Sequence, residues 1–310
     1  MNRCLYCYEP LAEKAAFHQK CSQKFFGSLA PPAVPYSLSQ MAALAKDVVE
    51  RSVTVPGVQP KLSVAAVKSA QEKDTRLTIV GQLGGDYILK PPNAQFPEMP
   101  ENEHVTMRIA ESFGIRVVLS SLIRLKSGEL SYIIKRIDRT AKGEKIHMLD
   151  MFQITEAFDK YRSSLERIGK AINSYSDNTL LDKIFFFEIC LFSFLTGNSD
   201  MHLKNFSMIK TSSGWGLAPA YDLLNVAIAN PDDTEELALT LAGNKKQIKR
   251  EHFESLAKEM GLNDKQMLAA FNRMAKNKLK VHNWIEKSFL SAKMKSAYID
   301  VFEARYRQMM

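Results

Sequence analysis

The run Ile184–Leu195, IFFFEICLFSFL, constrains the fold more than any other stretch of the chain. A segment this oily is stable only where neighbours cover it on nearly every side. It falls short of the ~20 apolar residues that cross a bilayer, and Glu188 interrupts it. The run therefore predicts a buried helix at the centre of a large core, and 310 residues are enough to enclose one. Directly behind it stands GNSDMHLKNFS, residues 197–207. Asp200, His202, Lys204 and Asn205 crowd together there, where the hydrophobic segment has just ended. Such a cluster is either a polar cap on a core helix or a site that holds something.

The totals narrow the classes. Hydrophobic residues make up 45% and charged residues 25%, the balance of a soluble globular protein. The N-terminal stretch MNRCLYCYEPLAEKAAF is polar and mixed, which predicts no secretory signal, a cytoplasmic location and no membrane partner. Lys and Arg number 42 against 34 Asp and Glu, a formal charge of +8. That excess favours anionic partners without choosing among nucleotides, nucleic acid and acidic protein. Its denser clusters, Asn244–Arg250 and Lys276–Lys280, read equally well as solvated helix faces.

Three of the four cysteines lie near the start, as Cys4-x-x-Cys7 followed by His18-x-x-Cys21. Two such x-x pairs can close a tetrahedral Zn²⁺ site, and with four protein ligands it would be structural. An incidental, metal-free set of cysteines stays open at this point. Cys190, inside the oily run, reads as a small core residue.

Along the chain, SLAPPAVPYS (28–37) is a proline-rich linker and SLSQMAALAKDVVERS has helical spacing. Strands are predicted at KLSVAAV, RLTIVG and DYILK, the last entered through the Gly-Gly turn of GQLGGD. PENEHVTMRIAESFGI reads as a helix, and SSLIRLKSGELSYIIKRIDR as a hairpin turning on Ser127-Gly128. Helices are predicted for MLDMFQITEAFDKY, the oily run, REHFESLAKEMGL and KQMLAAFNRMAKNKL, with one long C-terminal helix from Asn283 to Gln308. Only a hairpin, with a turn at Gly214-Trp215-Gly216, interrupts them. The expected organisation is a Cys/His segment and linker (1–37), a strand-rich domain (38–138) and a helical domain (139–310).

The spacing Asp200-x4-Asn205 is that of a phosphoryl-transfer catalytic loop, in which a carboxylate orients the attacking hydroxyl and an amide oxygen ligates Mg²⁺. A hairpin brings its two ends together, so Asp222 can share one cation with Asn205, and hard oxygen donors suit Mg²⁺. Upstream, the glycine turn PGVQPK (Gly57, Val58, Gln59, Lys61) precedes a strand lysine, Lys90, and a helix glutamate, Glu103. A glycine turn over phosphates, a strand Lys and a helix Glu that holds it form the nucleotide half of a kinase. Each member alone has a bland reading as an edge lysine or a first-turn acid; the order of all five is the signal.

These segments, with IIKRIDR, LAPAYDLL and ELALTLAGNKKQIKREHFESLAKEMGL, resemble the HipA-type serine/threonine protein kinases, toxins of bacterial toxin–antitoxin modules. The resemblance runs from about residue 50 to the C-terminus and implies an α+β, protein-kinase-like two-lobed fold, with a strand-rich N-lobe and a helical C-lobe. It implies Asp200 as catalytic aspartate, Asn205 and Asp222 as Mg²⁺ ligands, and Lys90 on the ATP phosphates. Lys135, Arg136, Ile137 and Asp138 fall near the hinge that meets adenine, while His202 and Lys204 support the loop or the phosphate. Autophosphorylation ahead of the loop glycine would fall on Thr54 or Ser52, placing negative charge where ATP phosphates sit. The implied partners are a helix-turn-helix antitoxin, DNA through that antitoxin, and an aminoacyl-tRNA synthetase substrate. Longer members carry an extra N-terminal subdomain; this chain resembles the compact form, in which a separate small protein replaces it. DMHLKN is also shared with phosphoinositide-type kinases, so a lipid or small-molecule kinase is the rival, and a kinase-like corepressor a second one.

Overall fold

In the computed structural model, residues 2–12, 15–51, 61–68, 75–80, 84–140 and 142–310 are described. The β-branched segments of the first half pair into one antiparallel sheet of β1 (Leu62–Lys68), β2 (Thr75–Ile79), β3 (Tyr87–Lys90), β4 (Ser120–Arg124) and β5 (Leu130–Lys135). The order is β2-β1-β3-β5-β4. Alternation decides which face is inward: Leu62 and Val64 of β1 are buried while Ser63 and Ala65, which alternate with them, are partly open. The predicted hairpin at Ser127-Gly128 joins β4 to β5, with Gly128 at φ 105°. Before the sheet come α1 (Gln19–Phe26), which sequence periodicity did not announce, and α2 (Leu38–Arg51). Helix α3 (Met99–Ser112) connects β3 to β4.

The Gly-Gly turn ahead of β3 has a steric reason. Gly85 sits at φ 79°, and a Cβ there would lie 2.6 Å from the Val64 carbonyl oxygen. The following amide, Asp86 N, donates to that same oxygen at 3.1 Å. The turn is pressed against β1, and only glycine lets it approach.

The second half is built around the oily run. It folds as α6 (Thr179–Leu195), following α4 (Met151–Ile154) and α5 (Leu165–Tyr175). Nine apolar side chains from Phe185 to Leu195 are buried, so this part of the helix is covered on every face. Removing each from water contributes about 1.5–3 kcal/mol. Phe187 meets Phe253 and Phe271 edge-on, and Phe194 meets Phe253. Those partners lie on α8 (Arg250–Glu259) and α9 (Asp264–Lys276), beyond the short α7 (Val226–Ala229). Glu188, the one acid in the run, is buried beside Arg273 Nε at 3.2 Å, and burial raises its carboxyl pKa. Cys190 is buried in the same helix, as expected of a core thiol.

Three expectations need correction. MLDMFQITEAFDKY is not one helix: Met148–Asp150 is strand β6, and Asp150 then caps α4 in a box with Gln153. The cap wins because its carboxylate satisfies the Gln153 amide while the Gln153 side chain returns to the Asp150 amide. The hairpin consists of β7 (Ser207–Thr211) and β8 (Gly214–Leu217), and its turn is Ser212-Ser213. Gly214, Trp215 and Gly216 belong to β8, and β6 adds a third strand, in the order β6-β7-β8. The C-terminal helix is two, α10 (Lys278–Lys287) and α11 (Ala292–Met309), because Ser291 is extended and caps the Met294 amide.

The chain divides into two compact units, neither of them a single run of sequence. The first holds residues 1–104, 118–144 and 287–289; the second holds 105–117, 145–286 and 290–310. Among the described residues, no helix is long and apolar enough to cross a membrane. Replacing Gly85 by alanine forces both a left-handed backbone and a clash, and should cost about 2–4 kcal/mol. Urea unfolding of the variant checks this; a loss within measurement error would contradict the turn geometry.

Candidate active site

In the first unit Lys90 and Glu103 are brought together. Lys90 closes β3 with 3% of its surface exposed, and its Nζ donates to Glu103 Oε1 of α3 at 2.6 Å. The same ammonium lies 5.5 Å from the ring centroid of Tyr132, its cross-strand partner on β5. A buried lysine–glutamate pair repays its desolvation poorly as a stability device, so its presence here points to a task rather than to packing. Lys61 is exposed at the entry to β1. Gly57, Val58, Gln59, Thr54 and Ser52 lie outside the described residues.

The stretch after β5 is held by its own charges. Arg136 grips Asp138 through two hydrogen bonds, 2.9 Å from Nε and 2.7 Å from Nη2, and Arg139 adds a third at 2.6 Å. Burial alone would raise the Asp138 carboxyl, but the guanidiniums outweigh it and its pKa falls below the usual range. Arg136 Nη1 also donates to the Gly84 carbonyl at 3.1 Å, tying this stretch to the glycine turn. The amides of Lys135 and Arg136 donate to Leu119 and Asp86 carbonyls. Ile137, between them and Asp138, is half-buried.

In the second unit the loop that follows α6 is fixed by a glycine and two asparagines. Gly197 has φ 68°, and a Cβ would meet Val301 Cγ1 at 2.7 Å and Asn225 Oδ1 at 2.8 Å. Asn198 is fully buried; its Oδ1 accepts from the Asp200 amide at 3.3 Å and its Nδ2 donates to the Asp222 carbonyl at 3.4 Å. Asn205 Nδ2 donates to the Asp200 carbonyl at 2.8 Å. One loop therefore has Asn198 and Asn205 bracketing Asp200, while Asn198 also reaches the backbone of Asp222.

The hairpin delivers Asp222 to the same place. Ala218 N donates to the Ser207 carbonyl at 2.8 Å, continuing the pairing beyond β8. The Tyr221 hydroxyl then bonds the Lys204 carbonyl at 3.0 Å, binding the strand's exit to the 203–205 turn. Asp222 follows at φ 54°, a left-handed conformation that is strained for a residue with a side chain. Asp182 of α6 staples the hairpin from behind: its Oδ2 accepts from the Leu217 amide and from Ser176 Oγ, each at 2.7 Å.

The Asp200 side chain has a partner that no sequence spacing reveals. Tyr161 donates its hydroxyl to Asp200 Oδ1 at 2.8 Å. The tyrosine ring also packs edge-on against His202, with centroids 5.1 Å apart. His202 is buried, and Lys160 Nζ lies 2.9 Å from its Nε2. Lysine can only donate, so Nε2 accepts and a neutral ring carries its proton on Nδ1. Burial lowers the His202 pKa, against the opposing pull of the Asp200 and Asp222 charges. Lys204 is exposed, its ammonium 4.7 Å from the Phe152 ring centroid. Lys160, Tyr161, Asn198 and Asp182 were not candidates on sequence; only Asn198, two residues from Asp200, carried a local signal.

Cys4, Cys7, His18 and Cys21 also converge, with one ligand atom from each lying within 4.8 Å of the others.

The profile of the HipA-like C-terminal domain family matches residues 53–282. A Haemophilus influenzae protein named "Putative kinase" is 30% identical over 249 residues, covering 73% of this chain and 69% of that one. A Sinorhizobium fredii protein of the same description is 32% identical over 229 residues, covering 68% and 54%. The "Serine/threonine-protein kinase toxin HipA" of Shewanella oneidensis is 26% identical over 211 residues, covering 61% and 46%. The chain thus spans about two thirds of the first of these relatives and about half of the others. Among solved structures, a chain of the Shewanella oneidensis complex of HipA, HipB and operator DNA superposes with a TM-score of 0.69 at 20% identity, covering 96% of this chain and 80% of its own. The Helicobacter pylori proinflammatory kinase CtkA gives 0.55 at 18% identity, covering 79% and 93%. The chain belongs to the HipA-like C-terminal domain family and has the protein-kinase-like fold of HipA and CtkA.

Proposed function

We propose that this chain is an ATP-dependent serine/threonine protein kinase that acts as the toxin of a bacterial toxin–antitoxin system. The observation that carries the reading is the loop itself: Asp200 is bracketed by Asn198 and Asn205, and Tyr161 holds one of its carboxylate oxygens. A carboxylate fixed in this way is pre-organised to orient a substrate hydroxyl and take its proton, the task of a kinase catalytic aspartate. Asn205 and Asp222 offer the hard oxygen donors that Mg²⁺ prefers, and they would hold it. When bound, Mg·ATP supplies the transferable phosphoryl group and neutralises its charge.

The remaining roles belong to the chain's own residues. Lys90, held in place by Glu103, is suited to the nucleotide phosphates. Ile137 and Asp138 are the positions of the hinge stretch best placed to meet adenine, since the amides of Lys135 and Arg136 already serve the sheet. A neutral His202, wedged beside Tyr161, keeps a second positive charge out of the loop and holds the tyrosine on Asp200. Gly57, Val58, Gln59 and Lys61 would cover the phosphates, with Thr54 or Ser52 as the autophosphorylation site. By likeness to the Shewanella oneidensis complex of HipA, HipB and operator DNA, a DNA-binding antitoxin is the expected partner; the sequence resemblance to the compact form adds a separate small protein. An aminoacyl-tRNA synthetase is the expected substrate.

Asp200→Asn should lower phosphate transfer from labelled ATP to protein by at least about 100-fold, and should abolish growth inhibition on expression. Full transfer in that variant, or label entering lipid extract instead of protein, would refute the assignment. The lysine pair separates catalysis from stability. Lys90→Met removes the ammonium beside Glu103 and should destabilise by about 3–5 kcal/mol. The double variant Lys90→Met/Glu103→Gln should recover most of that loss in thermal unfolding while phosphate transfer stays abolished. Recovery of transfer together with stability would mean that the pair is only structural.

A further inference from the structure

The N-terminal Cys/His cluster lies outside the kinase machinery, and it carries a site of its own. Cys4 and Cys7 stand on a tight reversal: the Tyr8 amide donates to the Cys4 carbonyl and the Cys4 amide to the Glu9 carbonyl, each at 2.9 Å. Arg3 and Pro10 bridge its two arms, and Tyr8 takes φ 64° at its end. His18 is the N-cap of α1, and Cys21 lies one turn along, its amide donating to the His18 carbonyl at 2.9 Å. A knuckle and a helix start, eleven residues apart, thus present their side chains to one point.

The distances at that point suit a metal. Cys7 Sγ and Cys21 Sγ lie 3.4 and 3.8 Å from His18 Nδ1, and all four ligand atoms fall within 4.8 Å of one another. A tetrahedron with Zn–S of about 2.3 Å and Zn–N of about 2.0–2.1 Å has edges of roughly 3.5–3.8 Å. All the cysteines are free thiols, so the cluster is not a disulfide. The histidine supplies the second, independent observation. Its Nε2 lies 3.0 Å from the Pro10 carbonyl, which can only accept. The ring proton is therefore on Nε2, and the Nδ1 lone pair faces the sulfurs, as in metal sites whose histidine is oriented by a carbonyl.

We propose that Cys4, Cys7, His18 and Cys21 bind one Zn²⁺, and that this closed site holds the N-terminal segment against β4 and α3. Of the contacts that attach the segment within its unit, two come from residues next to the cysteines. The Leu5 carbonyl accepts from the Leu122 amide of β4, an edge strand, at 3.2 Å. The Tyr8 hydroxyl meets His104 Nδ1 at 2.7 Å, one residue from Glu103. Leu5, Tyr6, Tyr8, Phe17 and Phe25 of the segment are buried, but so short a stretch encloses too small a core to stay ordered alone, and the metal would supply the cross-link. The inference does not depend on kinase activity.

Metal analysis of the purified, tag-free chain should give about one zinc per molecule, as a closed four-ligand site retains its ion through dialysis. Cys7→Ser should lose it. If that variant does not fold, refolding the native chain with Co²⁺ provides the second measurement: a tetrahedral thiolate spectrum supports the site, and an octahedral one overturns it. Chelation of the folded protein should speed hydrogen exchange of the Leu122 amide at least about tenfold. Folded protein without zinc would overturn the metal, and unchanged exchange after its removal would overturn the staple.

Discussion

The loop of Asp200 and the hairpin that carries Asp222 both hang on the burial of one helix. Because α6 is covered on every face from Phe185 onward, it cannot slide or rotate without exposing phenylalanines. Its C-terminus is therefore a fixed point. Gly197 turns the chain there, packed so tightly that no side chain would fit. The next three residues deliver Asn198 and Asp200. The same helix uses Asp182, near its other end, to grip the hairpin that carries Asp222. A rigid apolar rod thus sets both carboxylates, which is how a core turns into a site.

The first unit solves a different problem. Lys90 is almost wholly buried, and taking a charge out of water is costly unless it is paired. Glu103 and the face of Tyr132 offset that cost. The sheet aligns all three, since Lys90 and Tyr132 are cross-strand neighbours and α3 follows β3 closely. The Gly85 turn, pressed on β1 and bound by Arg136, belongs to the same arrangement.

Much of this was legible in the sequence, for identifiable reasons. The oily run could be nothing but a core helix, alternation gave β1, and Ser127-Gly128 gave the β4–β5 turn. Asp200, Asn205 and Asp222 carried a spacing, and Lys90 and Glu103 an order along the chain. The misses have equally physical causes. Met148–Asp150 became a strand because β7 was there to pair with it, a partner almost sixty residues away. Ser291 broke the last helix through a cap that local periodicity does not weigh. Tyr161 was invisible because its value lies in a contact with Asp200, 39 residues distant, and the helical reading of its own stretch gave it no role. Local chemistry was readable; long-range company was not.

The account stands or falls on whether the oxygen donors at the end of the hairpin serve a nucleotide-bound cation. Calorimetric titration of ATP into the chain, with and without Mg²⁺, tests this most directly. The account predicts that Mg²⁺ strengthens ATP binding by at least about tenfold, or ~1.4 kcal/mol. It predicts too that Asp222→Asn removes this gain while metal-free binding is unchanged. Equal affinity with and without Mg²⁺, or a gain that survives in Asp222→Asn, would contradict it.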